Sequence, residues 1–298
     1  MKELNNAGAE PAANYFSYSA PVVGETLNIN DGFEAQSFKH SKLSGLMDPL
    51  VMVDHFVMSQ PTFGEHPHTG MSAVSVLFED SVGLFNNQDS LGNNVDLQPG
   101  DLYWLKAGKG VTHDEKPIDG GVTHGLQIFV NLPSRSRKDS PMALHVSSKN
   151  MPVIAKSGSR VRVVLGESNG VVGRQSPSLP LTILDSFLNP GSNYKHTVRG
   201  NQSIWAYIVA GTASVSLEGK HFELAKGEAM AMHVNTEQAE LTLKSFPGAH
   251  IVVLQGEPFR EPFVQQGSFV MNSSSDLKAI VSAHEQGRLG SIQATKLI

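Results

Sequence analysis

Cysteine is absent from all 298 residues, which excludes a disulfide framework and any thiolate metal site. That absence alone does not fix a compartment. Charge is scarce too: 17% of residues are charged and the net charge is -5. Phosphate binding relies on clustered Lys and Arg, so the charge balance argues against a general nucleic-acid surface. The one basic cluster, Arg135, Arg137 and Lys138, lies among serines after Pro133 and reads as a solvated linker. No apolar run approaches the roughly 20 residues of a membrane span. The start of the chain lacks the basic and then apolar segments of a signal peptide. The expectation is a cytoplasmic protein without membrane or direct nucleic-acid contact.

Long helical patterns are also few. With 28 glycines, 16 prolines and 40% hydrophobic residues, the chain reads as many short strands joined by turns. Residues 1–20 are small and polar and read as a loosely held arm. The densest apolar stretch, Leu46 to Phe56, predicts a buried strand with a turn at Asp48-Pro49. Within it, Asp54-His55 reads as a hydrogen-bonded structural pair rather than a catalytic one. Strands are expected over Ala73–Glu79, Val95–Gln98, Leu102–Leu105, around His113 and Glu115, and over Thr123–Leu132. Asn86 to Asn94 has the composition of a loop or hairpin turn. Regular turn signals between short strands argue for a closed or sandwiched all-β unit.

After a polar linker over residues 133–150 the pattern repeats. Val161–Leu165, Leu181–Phe187 and Ser203–Ala210 are strand-like, Gly211 to Lys220 reads as a hairpin, and Leu241–Leu243 and His250–Leu254 complete a second copy. The expected division is residues 1–133 for the first barrel and 134–298 for the second. A short amphipathic helix carries Leu277, Ile280, Val281 and His284 on one face, with Ser275 or Asp276 as its cap and Gly287 as its stop.

The chemistry concentrates at two places. His66-Pro67-His68 and His113-Asp114-Glu115 each offer two metal-ligand side chains at i and i+2. In an extended chain such a pair points to one face, and Pro67 biases His66 away from helix. Two pairs on neighbouring strands can meet around one ion, offering three imidazoles and a carboxylate. Ligands of this kind suit Fe(II), Mn(II), Ni(II), Cu(II) or Zn(II). The second copy carries no such pattern. His196, His221, His233 and His250 are scattered singly and read as surface or satisfied core residues.

The chain resembles the pirin family of the cupin superfamily. The resemblance rests on His66-Pro67-His68-x-Gly70, Asp89-Ser90-Leu91-Gly92-Asn93, Pro99-Gly100-Asp101, Ala107-Gly108-x-Gly110, His113-x-Glu115-x-Pro117 and Gly125 to Leu132. A closing segment, Glu261-Pro262-x-Val264-Gln265-x-Gly267-x-Phe269 to Asn272, matches as well. It implies a bicupin, two β-barrels face to face with exchanged termini. It also implies one metal ion in the first barrel, most often iron, held by His66, His68, His113 and Glu115. Thr69 stands where pirins carry Arg, Met71-Ser72 where they carry Phe-Glu, and Asp114 in place of a small residue, all beside the expected metal. Ser72 and Ala73 occupy the place of the glutamate in the wider cupin pattern, which leaves Glu115 as the carboxylate ligand.

The implied activity is quercetin 2,3-dioxygenase-type ring cleavage of a flavonol or related phenolic substrate by O2. In it Glu115 would act catalytically, accepting the proton of the 3-hydroxyl. Gln127, Trp104 and Phe78 are candidates for the pocket wall, with a plain core role as the alternative for each. The competing expectation is a non-catalytic iron-binding regulator of protein partners such as transcription factors.

Overall fold

Twelve strands, with side chains alternating between two faces, run through the first half of the chain. The structure, a computed structural model, describes residues 15–292. The strands are β1 (Phe16–Tyr18), β2 (Val22–Val23), β3 (Glu25–Ile29), β4 (Phe33–Lys39), β5 (Leu50–Met58), β6 (His66–His68), β7 (Met71–Leu77), β8 (Val82–Asp89), β9 (Asn94–Leu97), β10 (Leu102–Lys106), β11 (Val111–Asn131) and β12 (Met142–Val146). Ten of them form one sheet in the order β12-β10-β7-β11-β5-β4-β3, with β6 and β8 on β11 and β9 on β8. An eleven-stranded sheet builds the second barrel around Ser203–Leu217, Ala249–Gly256 and Leu181–Leu188. The described residues are all-β apart from short 3₁₀ turns and the helix Ser274–Glu285.

The period of two decides which side chains meet. On β5, Phe56 and Met58 point into the first barrel beside Phe33, Leu77 and Tyr103. Val53 points the other way, into a core shared with Trp205, Tyr207 and Leu254 of the second barrel. Trp104 and Phe78 belong to that shared core and not to the wall of the expected pocket. They occupy the opposite phase of their strands from Tyr103 and Leu77. The interior of the second barrel is a separate cluster that includes Val163, Ile208, Met230 and Leu243.

Several expectations change once long-range pairing is seen. β11 joins two expected strands in one element: its first part pairs with β6 and β8, its second with β5 and β7, and the register shifts between Ile118 and Val122. Asn86 to Asp89 are strand, not loop, because they pair with β11 from Lys116 back to His113. The turn is confined to Ser90–Asn93, where Asp89 Oδ1 accepts from the backbone N–H groups of Leu91 and Asn93. In the second barrel the hairpin turn lies at Glu218-Gly219, after an unbroken strand through Gly211. The first sheet extends past residue 133, since β12 pairs with β10 along its whole length.

Arg137 is not solvated. It is buried, and Nε and Nη2 donate to Leu132 O at 3.0 Å and Asn131 Oδ1 at 2.7 Å. Of the expected N-terminal arm, residues 1–14 lie outside the described residues, while β1 and β2 pair with Glu228–Val234 of the second sheet. The helix begins two or three residues earlier than the pattern predicts, capped by Ser273, whose Oγ accepts from Asp276 N at 3.2 Å. No helix among the described residues is long and apolar enough to cross a membrane.

The end of the chain returns to the first barrel. A hairpin of Val264–Gln266 and Phe269–Met271 lies against the β6–β7 turn, where Val270 N donates to Thr69 O at 3.1 Å and Ser268 Oγ to Pro67 O at 2.6 Å. Gly70 makes this seat possible. Its φ is +70°, and a Cβ there would stand 1.8 Å from Val270 O. Gly70→Ala therefore combines a left-handed backbone, costing about 1–3 kcal/mol, with a backbone clash. A fall in Tm of about 5 °C or more is expected on thermal melting; an unchanged Tm would show that the hairpin is not seated there.

Candidate metal centre

β6 and β11 run antiparallel with His113 directly opposite His66 and Val111 opposite His68. Because β6 presents its two histidines to the same side, their rings close on that of His113. The Nε2 atoms of His68 and His113 are 2.9 Å apart, and those of His113 and His66 3.1 Å. The three rings meet edge to face, with centroids 4.6–4.9 Å apart. The structure thus brings together all three histidines of the expected set, and this is the only cluster of metal-ligand side chains of its kind among the described residues.

The arrangement fits one metal ion. His66 Nδ1 lies 2.8 Å from Gly64 O. A carbonyl only accepts, so the proton sits on Nδ1 and Nε2 presents a lone pair. His68 and His113 are buried, and desolvation together with the neighbouring imidazoles holds both well below the usual histidine range. Neutral rings are what a cation requires. With bonds of about 2.1 Å, two nitrogens at right angles on one ion stand about 3.0 Å apart. The two separations to His113, 2.9 and 3.1 Å, are close to that spacing.

Glu115 lies on the same side of β11 as His113, but its carboxyl is not among the converging atoms. It is buried, and burial pushes it up against the opposing pull of His66, Ser75 and Asn87. Ser75 Oγ donates to Oε2 at 2.8 Å and Asn87 Nδ2 at 3.2 Å. Ser75 Oγ also stands 2.9 Å from Gln127 Oε1, so a polar chain runs from the pocket wall through Gln127 and Ser75 to Glu115. Asp114 faces away and pairs with Lys116 at 2.5 Å. Sequence reasoning missed Ser75 and Asn87. The available signal was phase: Ser75 is the polar residue at the inward position between Ala73 and Leu77.

His66, His68, Glu115 and Gln127 line a cavity of about 570 Å³, within the usual range for small-molecule sites. Its walls are aromatic, with Phe33 and Phe56 stacked at 15° and Phe63 edge-on to Phe33. Asp54 belongs to this wall. His55, its neighbour in sequence, does not pair with it, because consecutive strand residues face apart. His55 instead looks into the cleft between the barrels, with Nδ1 2.6 Å from the Tyr207 hydroxyl and Nε2 2.7 Å from His124 Nε2. Burial first, then the other histidines and Lys226, lowers its pKa to about 3. In the second barrel, His196 is held by Ser168 and Gln255 and His250 by Asp185.

Comparison with known proteins gives the same picture. The pirin family matches residues 25–130, and the pirin C-terminal cupin domain matches residues 183–290. A pirin-like protein of Solanum lycopersicum is 30% identical over 276 residues, covering 90% of this chain and 91% of its own length. Human pirin is 30% identical over 242 residues, covering 79% and 80%. A solved quercetin 2,3-dioxygenase from Acinetobacter baumannii superposes with a TM-score of 0.80 at 25% identity, covering 93% of this chain and 98% of that one.

Proposed function

The chain belongs to the pirin family, and on that premise we propose that it is a metal-dependent dioxygenase of the quercetin 2,3-dioxygenase type. His66, His68, His113 and Glu115 are the proposed ligands of one divalent ion, Fe(II) in the first instance. The observation that carries the reading is the convergence of three imidazoles at one end of an aromatic-walled cavity. Likeness to the Acinetobacter quercetin 2,3-dioxygenase supports a phenolic substrate.

When bound, the ion supplies Lewis acidity towards a phenolic oxygen and a redox-active centre for O2. The protein's own groups do the rest. Phe33, Phe56 and Phe63 offer a slot for a planar ring and keep water from it. Glu115, raised by burial and steadied by Ser75 and Asn87, is placed to take the proton of the hydroxyl that faces the histidines. Gln127 lies on the other side of Ser75, its Oε1 2.9 Å from the Ser75 Oγ.

Protein loaded anaerobically with Fe(II), mixed with quercetin and exposed to air, is expected to consume O2 and bleach the flavonol absorbance. His68→Ala should do neither. Intact metal with no turnover on any phenolic would sink the oxygenase reading and favour a regulatory role for the ion.

A further inference from the structure

β5 carries a single acid in an otherwise apolar inner face. Asp54 is 7% exposed, lines the cavity that holds the histidines, and has one oxygen, Oδ1, with no hydrogen-bond partner among the described residues. The same cavity is lined by Phe33, Phe56, Phe63, Phe129 and Lys39, with Gln127 opposite Asp54 on the β5–β11 ladder. A buried carboxylate oxygen without a donor is costly, by more than a neutral group would be. The cost is visible in the group itself, since desolvation pushes it up to about 6 against the opposing pull of Ser37 and Lys39. A residue placed this way detracts from the stability of the barrel unless something that enters the cavity supplies the missing donor.

We infer that Asp54 is the specificity-determining residue of this cavity, accepting a hydrogen bond from a second hydroxyl of a planar, polyhydroxylated aromatic ligand. The inference rests on the proposed reading of the cavity as a phenol site and adds the chemical class of what enters it. One hydroxyl faces the histidines and another donates to Asp54, so the two together set the orientation of the ring between the phenylalanines. A ligand with one hydroxyl, or with a methoxy group at the Asp54 end, leaves the carboxylate unpaired. Sites built to hydrogen-bond a ligand hydroxyl reject analogues that lack it far more strongly than apolar slots reject a lost methylene.

The test uses metal-free protein without O2, so that it does not depend on turnover. Binding of quercetin, and of flavonoids each lacking one of its hydroxyls, is followed by fluorescence quenching in wild type, Asp54→Asn and Asp54→Ala. Wild type should bind one of the analogues about ten- to a hundredfold more weakly than quercetin, the range expected for a hydrogen bond to a charged group. In Asp54→Ala that gap should close, with Asp54→Asn between the two. Both variants should melt at or above the wild-type temperature, because the group removed is buried and incompletely paired.

A lower melting temperature in both variants would make Asp54 a structural residue and overturn the inference. It would also be overturned by an unchanged gap among the analogues, or by the absence of saturable flavonoid binding to wild type. Loss of O2 uptake by the metal-loaded protein while the Asp54-dependent gap persists would instead defeat only the oxygenase reading.

Discussion

His113→Ala is expected to lose at least about a hundredfold in affinity for Fe(II) or Zn(II), and to carry less than stoichiometric metal after desalting. Changing a group that merely orients a ligand typically costs ten- to a hundredfold, and here a proposed ligand itself is removed. His113 is the shared vertex of the triad, 2.9 Å from His68 Nε2 and 3.1 Å from His66 Nε2, and it is the imidazole contributed by β11. Without it two ring nitrogens from one short strand remain. Glu115→Gln should cost less, because the histidines converge without the carboxyl and Gln keeps an acceptor for Ser75 or Asn87. Metal analysis and calorimetric titration separate these variants. Wild-type metal content in His113→Ala would place the ion elsewhere and remove the ground for the proposed oxygen chemistry.

Both strand pairs of this site were legible because strand geometry is periodic. Given an extended backbone, His66 and His68 must share a face, as must His113 and Glu115. The same rule, carried further, separates Asp54 from His55 and Trp104 from Tyr103, but only once the inner face of each strand is known. That knowledge comes from pairing, which a single strand does not reveal. Asn86 to Asp89 look like a turn by composition. They form a strand because β11 supplies backbone partners, while Asn86 Nδ2 finds Asn94 and Asp96 side chains across the hairpin. Arg137 looks solvated among serines, yet its guanidinium is held by a carbonyl and an amide oxygen from the end of β11. Phe16–Tyr18 has no local pattern at all; its partner strand, Glu228–Val234, lies near the other end of the chain. Local chemistry marked the histidines, and distant contacts decided what surrounds them.

The largest stability effect is expected at the junction of the two barrels. Asp185 is fully buried, with Oδ2 accepting from Arg162 Nε at 3.0 Å and Oδ1 2.5 Å from His250 Nε2. Arg162 Nη1 in turn donates to Gly100 O in the first barrel at 3.2 Å. Removing one partner of such a pair leaves the other charge buried, which costs about 3–5 kcal/mol. Asp185→Ala should therefore unfold at clearly lower denaturant concentration than wild type, with Glu79, 3.7 Å from Arg162, softening the loss only in part. Replacing both charges by apolar groups, Arg162→Met with Asp185→Leu, should recover much of it, since no ion is then stranded. The pH dependence carries the same signature. Burial alone would push the Asp185 carboxyl up, but His250 and Arg162 outweigh it and hold the group below the usual carboxylate range. A depressed carboxylate contributes stability above its unfolded pKa, about 3.9, and that contribution drains away as pH falls through the lower folded value. Wild type should thus lose stability below about pH 4 more steeply than Asp185→Ala. Parallel curves for the two proteins would show that the charge at this position does not hold the barrels together.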